Sequence, residues 1–368
     1  MTSPGLAVEN LSLRLGACRL RNVTLDVGAG EILVILGPNG AGKSVTLETI
    51  AGFHRPDAGR ILIRGRDVTG VPPERRNVGF LFQNFGLFPH LTVAENVAFG
   101  LRSRRAPIVS GHRSTPSSDV AELLAQFGIA HLAKRHPHAL SPGEKQRVAF
   151  ARALATNPDL FLFDEPFSAL DAPTRERLRN ELHAFLRRTR KPAIFVTHDH
   201  TDAEALADKI LVMNQGEVIQ CGTASDIFRT PANAFVAEFV GIENILAGQI
   251  TDIPGASLGV AVAGKLLCAP ANEIAECDRK DVQVCIRADE VRLYSATAPR
   301  VTSLGATNRL DGLIVATSRL GALSKVELDC GFPLHAYVMT RQVQEMKLVP
   351  RSRIEVEIAV DSIHLLPH

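Results

Sequence analysis

The sequence predicts an α/β domain over residues 1–238, followed by a small all-β domain over residues 239–368. Three short, almost unbroken apolar runs have the length and composition of buried parallel strands: Glu31–Gly37, Leu160–Asp164 and Pro192–His198. In the second part of the chain, helical periodicity gives way to short alternating runs separated by turn residues. That change of pattern is typical of a small β domain.

Helical patterns separate the strand-like runs of the first domain. We expect Ser44–Phe53 to form the helix after the first glycine-rich turn, and Asp119–Arg135 to form a second helix. The stretch Arg102–Ser118 is rich in Arg, Ser and Pro, which predicts a mobile surface loop.

The sequence of the all-β domain consists of two similar halves. The first half ends at Leu293 and the second at Leu365, and each opens on a strand that contains glycine. Each also closes on a strand with an aspartate, Asp289 or Asp361, followed by an apolar–x–Leu end. This repeat predicts two related β-subunits side by side.

Composition excludes several classes of protein. Of the 368 residues 45% are apolar, enough for a sizeable core, and the net charge of +2 indicates neither nucleic-acid nor membrane-surface binding. We find no apolar run near the roughly 18 residues needed to span a bilayer and no signal-peptide pattern at the N-terminus. The scattered cysteines indicate reduced thiols in a cytosol rather than disulfides or a zinc site. They are Cys18, Cys221, Cys268, Cys277, Cys285 and Cys330.

A glycine-rich loop follows the first predicted strand. It has the pattern G-x-x-x-x-G-K-S between a strand and a helix, the context of a phosphate-binding loop. Backbone N–H groups and the helix N-terminus favour phosphate there, Lys43 is expected to reach the β- and γ-phosphates, and Ser44 to ligate Mg²⁺. We assign nucleotide binding to Gly37, Pro38, Asn39, Gly40, Ala41, Gly42, Lys43, Ser44 and Val45.

Two acidic residues stand at the end of the second predicted strand. Asp164 can hold Mg²⁺, and Glu165 can orient or deprotonate an attacking water. Two acidic residues that merely end a strand are the alternative, and the phosphate loop upstream argues against it.

The segment LSPGEKQR, Leu140–Arg147, resembles the LSGGQ signature of ATP-binding cassette ATPases. In that family the signature caps the γ-phosphate of ATP bound to the opposite subunit. The resemblance implies that Ser141 and Gly143 donate those hydrogen bonds. Pro142 and Glu144 depart from the pattern, since one lacks a backbone N–H and the other adds a negative charge.

Other family elements match in the same order. Gln83 matches the loop that touches Mg²⁺ and the attacking water, Ser168–Asp171 the loop that crosses the dimer interface, and His198 the switch histidine at the γ-phosphate. The resemblance spans Leu6–Phe235. It implies a RecA-like core with a helical subdomain that binds ATP and Mg²⁺ and contacts ATP through Glu144 and Asp171 as well.

Leu15 stands where the family usually stacks adenine on an aromatic ring. An aliphatic side chain still packs on the base but loses stacking of about 1 kcal/mol. We therefore expect modest nucleotide affinity and weak base selectivity.

The two-domain layout resembles the ATPase subunits of binding-protein-dependent importers, whose C-terminal extension is an OB-like regulatory domain. Leu320–Met346 resembles that domain in molybdate/tungstate importers, and Gly305–Gly312 resembles their motif S-x-R-N-x-L-x-G. Asn308, Leu310 and Gly312 match it, whereas Gly305 and Thr307 stand in place of Ser and Arg.

In that subfamily the oxyanion can bind the domain and stop further hydrolysis, which is called trans-inhibition. A tetrahedral dianion needs N–H groups, hydroxyls and cations. The candidates are Asn308, Thr317, Ser318, Arg319, Lys325, Thr340 and Arg341. The alternative is that these are solvated polar positions on a domain that only dimerises.

The resemblance implies a homodimer of ATPase subunits, two transmembrane permease subunits and an extracytoplasmic oxyanion-binding protein. The chain would then be peripheral, on the cytoplasmic face of the cell (inner) membrane. Sulfate/thiosulfate, ferric iron, sugar and polyamine stay open as cargo. A cassette ATPase without a transport role, and a P-loop kinase or small GTPase, are the alternatives of other classes.

Overall fold

The computed structural model describes residues 4–103, 116–251, 257–270, 280–295 and 307–367. The chain divides into two compact units, Met1–Ala224 and Ser225–His368. The domain boundary expected at residue 238 stays a prediction.

The first unit mixes strands and helices. Its strands are β1 (Leu6–Leu15), β2 (Cys18–Val27), β3 (Ile32–Leu36), β4 (Ala58–Ile63), β5 (Arg66–Asp67), β6 (Val78–Leu81), β7 (Leu160–Asp164), β8 (Ala193–Val196), β9 (Lys209–Asn214) and β10 (Glu217–Gly222). Its helices are α1 (Lys43–Ala51), α2 (Val93–Ser103), α3 (Pro116–Gln126), α4 (Pro142–Ala155), α5 (Ala172–Thr189) and α6 (His200–Leu206). Short 3₁₀ helices lie at Pro73–Arg75, Ala130–Leu132 and Pro137–Ala139.

Two sheets organise this unit. In the described residues, one has the order β10-β9-β3-β8-β7-β6, with parallel pairing except between β9 and β10. The other is antiparallel, in the order β2-β1-β4-β5. Every residue of β3, β7 and β8 is buried, which explains why these strands read as unbroken apolar runs. The predicted α/β class is confirmed, and the carboxyl ends of these strands share one edge of the sheet.

The second predicted helix is shorter than expected. α3 ends at Gln126, because Gly128 adopts φ 65° and its N–H bonds to Ala125 O at 3.0 Å. The predicted loop Arg102–Ser118 is also helical at both ends, since α2 runs to Ser103 and α3 begins at Pro116. The rest of that prediction, residues 104–115, lies outside the described residues.

The second unit is all-β apart from short helices in its described part. Its strands are β11 (Asn244–Thr251), β12 (Ser257–Val262), β13 (Lys265–Pro270), β14 (Asp281–Ile286), β15 (Val291–Tyr294), β16 (Thr307–Leu320), β17 (Leu323–Asp329), β18 (Pro333–Met339), β19 (Arg353–Ala359) and β20 (Ile363–Pro367). Its α-helices are α7 (Ala224–Arg229), α8 (Ala234–Phe239) and α9 (Thr340–Glu345), and 3₁₀ helices lie at Ala288–Glu290 and Val360–Ser362.

The two sheets of this unit have equivalent strand orders. One is β13-β12-β11-β14-β20 and the other is β18-β17-β16-β19-β15. The last strand of each half, β15 or β20, pairs in the sheet of the other half. The two halves therefore exchange their last strands, β15 and β20. One apolar core lies between the two sheets.

Two buried asparagines join the halves. Asn244 opens β11 and Asn308 lies at the start of β16, each within the pattern N-x-L-x-G-x-I. The Asn308 amide accepts from Cys268 N at 2.6 Å and donates to Cys268 O at 2.9 Å, on edge strand β13. The Asn244 amide makes the same pair of bonds to the backbone of His335 on edge strand β18. Each asparagine thus provides hydrogen-bond partners for a backbone N–H and a carbonyl of an edge strand in the opposite sheet.

The five cysteines of the described chain are free thiols, and Cys277 lies outside it. Within the described residues no helix is long and apolar enough to cross a membrane.

Candidate functional site

The glycine-rich loop joins β3 to α1 at the carboxyl edge of the sheet. Gly42 has φ 98°, and a Cβ on it would lie 2.7 Å from Leu20 Cδ2. A Cβ on Gly37 would lie 2.3 Å from Met213 O, so neighbouring backbone excludes a side chain there. The loop is further closed by Ala41, whose N–H bonds to Pro38 O at 3.2 Å. These constraints fix the loop around the N-terminus of α1, where anions are favoured.

Lys43 is turned towards the loop itself. Its Nζ donates to Gly37 O at 2.7 Å and to Pro38 O at 2.8 Å. Burial lowers the pKa of this ammonium below its ordinary value, and the nearby carboxylates Glu165 and Asp164 oppose that change. A phosphate would offer Nζ charge-assisted hydrogen bonds in place of the two neutral carbonyl contacts.

Ser44 and Asp164, the two residues predicted to hold Mg²⁺ together with Gln83, lie within hydrogen-bond distance of each other. Ser44 Oγ donates to Asp164 Oδ1 at 3.0 Å, and Asp164 is 8% exposed. Burial raises the pKa of this carboxyl, an effect that the Ser44 hydrogen bond opposes. A buried carboxylate beside a hydroxyl fits a hard divalent cation, which binds oxygen ligands.

Glu165 lies between the other two predicted catalytic residues. Its Oε2 accepts from Gln83 Nε2 at 3.0 Å, and its Oε1 lies 3.1 Å from His198 Nδ1. The backbone of Glu165 is left-handed, with φ 43°, and its N–H bonds to Val196 O at 2.9 Å. Such a conformation costs of order 1 kcal/mol in a non-glycine residue and is concentrated at functional sites. We will call Gln83, Glu165 and His198 the carboxylate cluster.

A second group of predicted residues surrounds a separate cleft of about 490 Å³. Ser141 caps α4, where Ser141 Oγ accepts from Glu144 N at 3.3 Å and Glu144 Oε2 accepts from Ser141 N at 2.7 Å. Asp171 caps α5 by accepting from Thr174 N at 3.1 Å, a bond that lowers the pKa of Asp171. The described lining comes from residues 141–147 and 169–177, so the phosphate loop does not contribute to it.

Pro142 and Glu144, which depart from the signature, both lie in the first turn of α4 and are compatible with a helix N-terminus. Pro142 occupies the first helical position, where the missing N–H has no intrahelical partner in any case. Gly143 follows, and a Cβ there would lie 3.3 Å from Thr174 Cγ2. The lost donor at Pro142 was predicted, whereas the capping box that Glu144 forms with Ser141 was not.

Leu15 ends β1 at the tip of the β1–β2 hairpin, where it pairs with Cys18 and is 40% exposed. Leu20 of the same hairpin contacts the phosphate loop at Gly42. The remaining loop positions, Asn39, Gly40 and Val45, lie within the loop or the first turn of α1.

The predicted oxyanion residues have several different partners. Lys325 Nζ lies 3.3 Å from Glu243 Oε1, and Ser318 stands opposite Lys325 in the β16–β17 pairing. The Thr340 hydroxyl lies 3.0 Å from Ser324 Oγ, and Arg341 pairs with Glu345 at 2.6 Å. Thr317 and Arg319 flank Ser318 on β16, whereas Asn308 lies at the other end of that strand. Gly305 lies outside the described residues.

A cluster of three aromatic rings, which the sequence analysis did not predict as part of the site, lies beside Gln83. Phe80 and Phe82 lie 4.5 Å apart between ring centroids, and Phe53 lies 5.3 Å from Phe80 and 5.7 Å from Phe82. Phe53 is 43% exposed and Phe82 is 40% exposed. We call these three residues the aromatic patch. The run of phenylalanines around Gln83 was the available signal, but the contribution of Phe53 depends on the fold.

Comparisons with known proteins show which family the chain belongs to. The profile of the ABC transporter family matches residues 20–168. The molybdate/tungstate import ATP-binding protein WtpC of Pyrococcus horikoshii is 37% identical over 98% of this chain and 100% of its own length. The sulfate/thiosulfate import ATP-binding protein CysA 2 of Chromobacterium violaceum is 38% identical over 99% of this chain and 96% of its own.

Two further similarities concern cargo and structure. The spermidine/putrescine import ATP-binding protein PotA of Lawsonia intracellularis is 41% identical over 80% of this chain and 79% of its own. A dimeric structure of the ATP-binding cassette MJ0796 bound to ADP and Pi covers 60% of this chain and 98% of that chain, with 31% identity and a TM-score of 0.53. The chain therefore belongs to the ABC transporter family, among its import ATP-binding proteins.

Proposed function

We propose that this chain hydrolyses ATP to drive the import of molybdate or tungstate. The carboxylate cluster is the observation that carries the hydrolytic part. Glu165, held by Gln83 and His198, can accept a proton from a water that attacks the γ-phosphate. Lys43 would bind the β- and γ-phosphates, while Ser44, Asp164 and Gln83 would hold Mg²⁺, which neutralises phosphate charge when bound.

We further propose that two copies work head to tail. Ser141 and Gly143 surround a cleft to which the phosphate loop does not contribute, so one chain presents two separate parts of a site. The cassette MJ0796 with ADP and Pi is described as dimeric. In a pair, the Ser141 cleft of one copy would close over the phosphate loop of the other.

The aromatic patch is our candidate docking surface for a permease subunit. The exposed rings of Phe53 and Phe82 contact each other and form an apolar surface of the kind that marks protein–protein contacts. Phe82 precedes Gln83 directly, so a permease segment seated on the patch would lie beside the carboxylate cluster. The chain would then be peripheral on the cytoplasmic face of the membrane, and an extracytoplasmic binding protein would deliver the oxyanion.

The cargo proposal rests on similarity along the whole chain to a molybdate/tungstate import protein. Sulfate or thiosulfate is the second candidate, because a sulfate/thiosulfate import protein is equally similar over as much of the chain. In the second unit, Ser318 and Lys325 stand opposite each other on neighbouring strands and offer a hydroxyl and a cation, and Arg319 adds a second cation close to the turn at Gly321. Oxyanion could bind there and inhibit hydrolysis.

Calorimetric titration of the full chain with molybdate, tungstate and sulfate tests the cargo. We expect heat from molybdate or tungstate that is lost in Arg319→Gln/Lys325→Gln and kept in Arg292→Gln, a control on β15 of the same sheet. Binding of sulfate alone would favour the second candidate. Absence of binding by all three would remove the regulatory site and leave the ATPase assignment intact.

A further inference from the structure

The position of the His198 imidazole depends on groups outside its own side chain. Its Nδ1 lies 3.1 Å from Glu165 Oε1, yet 59% of the His198 side chain is exposed. An exposed imidazole keeps rotamer freedom, so its placement against Glu165 depends on how firmly its backbone is held. The groups that fix the next residue, Asp199, therefore matter for His198.

Asp199 is held on both of its carboxylate oxygens. Oδ1 accepts from Thr201 N at 2.9 Å and from Asp202 N at 3.1 Å, which caps α6. The Asp199 backbone N–H donates to Thr197 Oγ1 at 3.0 Å. Oδ2 accepts from Arg175 Nη1 at 2.5 Å, and both side chains of this ion pair are 28% exposed.

Arg175 belongs to the first turn of α5. Its backbone N–H bonds to the carbonyl of Asp171, the N-cap that lines the Ser141 cleft. One turn later, Arg179 pairs with Asp202 at 3.0 Å, with only 13% and 3% of the two side chains exposed. Two parallel ion pairs thus join the start of α5 to the start of α6. The half-buried, charge-assisted geometry favours a fixed distance between the two helix starts.

We propose that Arg175 is a positioning residue for His198. Through Asp199 it links the Asp171 end of α5, beside the Ser141 cleft, to the backbone that carries the imidazole. A displacement of the Asp171 loop would therefore be transmitted to the His198–Glu165 contact. This inference rests on the role proposed above for His198 in hydrolysis.

A merely structural ion pair is the competing explanation, and the chain offers a matched control. Arg187, in the last turn of the same helix, pairs with Asp208 at 2.8 Å, with 40% and 34% of the side chains exposed. That pair anchors the other end of α5 next to β9, away from Asp199 and the start of α6. Arg187→Gln removes an ion pair of the same kind without touching the link to His198.

The test combines phosphate release with NMR of the full chain labelled at histidine. We expect Arg175→Gln to lower kcat by about 10- to 100-fold, as small displacements of catalytic groups do. The KM for ATP is expected to stay unchanged, and the His198 resonance, assigned by its loss in His198→Ala, to shift. Arg187→Gln should change neither, and Arg175→Lys should restore part of kcat. In a His198→Ala background, Arg175→Gln should cause no further loss.

Asp199→Asn is the second variant, since asparagine keeps an oxygen for the N-cap but loses the charge. It should shift the His198 resonance as Arg175→Gln does. Equal resonances and equal rates in Arg175→Gln and Arg187→Gln would overturn the proposal, as would a fall in melting temperature with the His198 resonance unmoved. If His198→Ala hydrolyses ATP at the wild-type rate, the catalytic role of His198 fails, and the resonance shifts still decide whether Arg175 positions the ring.

Discussion

Glu144 holds both polar groups of Ser141: its Oε2 lies 2.9 Å from Ser141 Oγ and 2.7 Å from Ser141 N. These two hydrogen bonds, the backbone one first, lower the pKa of Glu144, so its carboxylate is ionised at neutral pH. The negative charge of Glu144 therefore lies beside the Ser141 hydroxyl, which we expect to contact the γ-phosphate of ATP bound to a second copy.

We predict that Glu144→Gln speeds ATP hydrolysis. Glutamine can still accept from Ser141 N, but it removes a charge that repels phosphate by roughly 1 kcal/mol in a solvated cleft, or about fivefold in rate. Steady-state phosphate release measures this, with Glu176→Gln on the exposed face of α5 as the charge-matched control. A rate at or below wild type in Glu144→Gln would contradict the proposed repulsion.

Asp164 is expected to lower the stability of the fold while it supports ATP hydrolysis. Because burial raises its folded pKa, the folded chain binds this proton more tightly than the unfolded chain does. Ionised Asp164 therefore destabilises the fold above its folded pKa, and this penalty disappears as the pH falls below the ordinary aspartate range. We predict that Asp164→Asn, without Mg²⁺, melts at a higher temperature than wild type at pH 7 and hydrolyses little ATP. A lower melting temperature in the variant at pH 7 would argue against this sign.

Asn308 is expected to act on stability rather than on chemistry. Asn308→Ala leaves the N–H and carbonyl of Cys268 without their amide partner, which should lower the free energy of unfolding of the second unit by about 2 kcal/mol. Asn244→Ala should behave alike, because its amide makes the same contacts with His335. Denaturant unfolding measures both effects. Wild-type stability together with lost oxyanion binding in Asn308→Ala would instead make this residue a ligand.

The aromatic patch should control coupling to the membrane. Phe82→Ser is expected to leave basal hydrolysis of the isolated chain unchanged and to weaken its binding to membranes that contain the permease subunits at least about tenfold, as loss of a central aromatic contact does. Phe185→Ser, which removes a ring on α5 that contacts Phe161, provides the aromatic control. Equal retention of the two variants on those membranes would place the docking surface elsewhere.

Local patterns predicted the parts of the site that depend on local structure. β7 runs over the predicted Leu160–Asp164, because a buried parallel strand must be apolar on both faces. Conversely, the helix predicted over Asp119–Arg135 ends early, since apolar periodicity does not show that Gly128 takes a left-handed conformation.

The sequence does not predict which distant strands and side chains pair with each other. The exchange of β15 and β20 between sheets joins strands far apart in the chain, and alternation of apolar residues specifies a face but not a partner. The same holds for Arg175 in α5 and Asp199, the N-cap of α6, which are 24 residues apart. Their charges alone are compatible with solvated surface positions.

Glu165 is proposed as the general base of an ATP-driven pair of chains. Sedimentation of Glu165→Gln with Mg²⁺-ATP, alongside phosphate release, tests it most directly, with Glu176→Gln as the control. We predict a hydrolysis rate lowered by about 10²- to 10⁴-fold, as for loss of a general base, and a stable ATP-dependent dimer that the control does not accumulate. Wild-type turnover by Glu165→Gln, or a monomer that persists at saturating ATP, would contradict the claim.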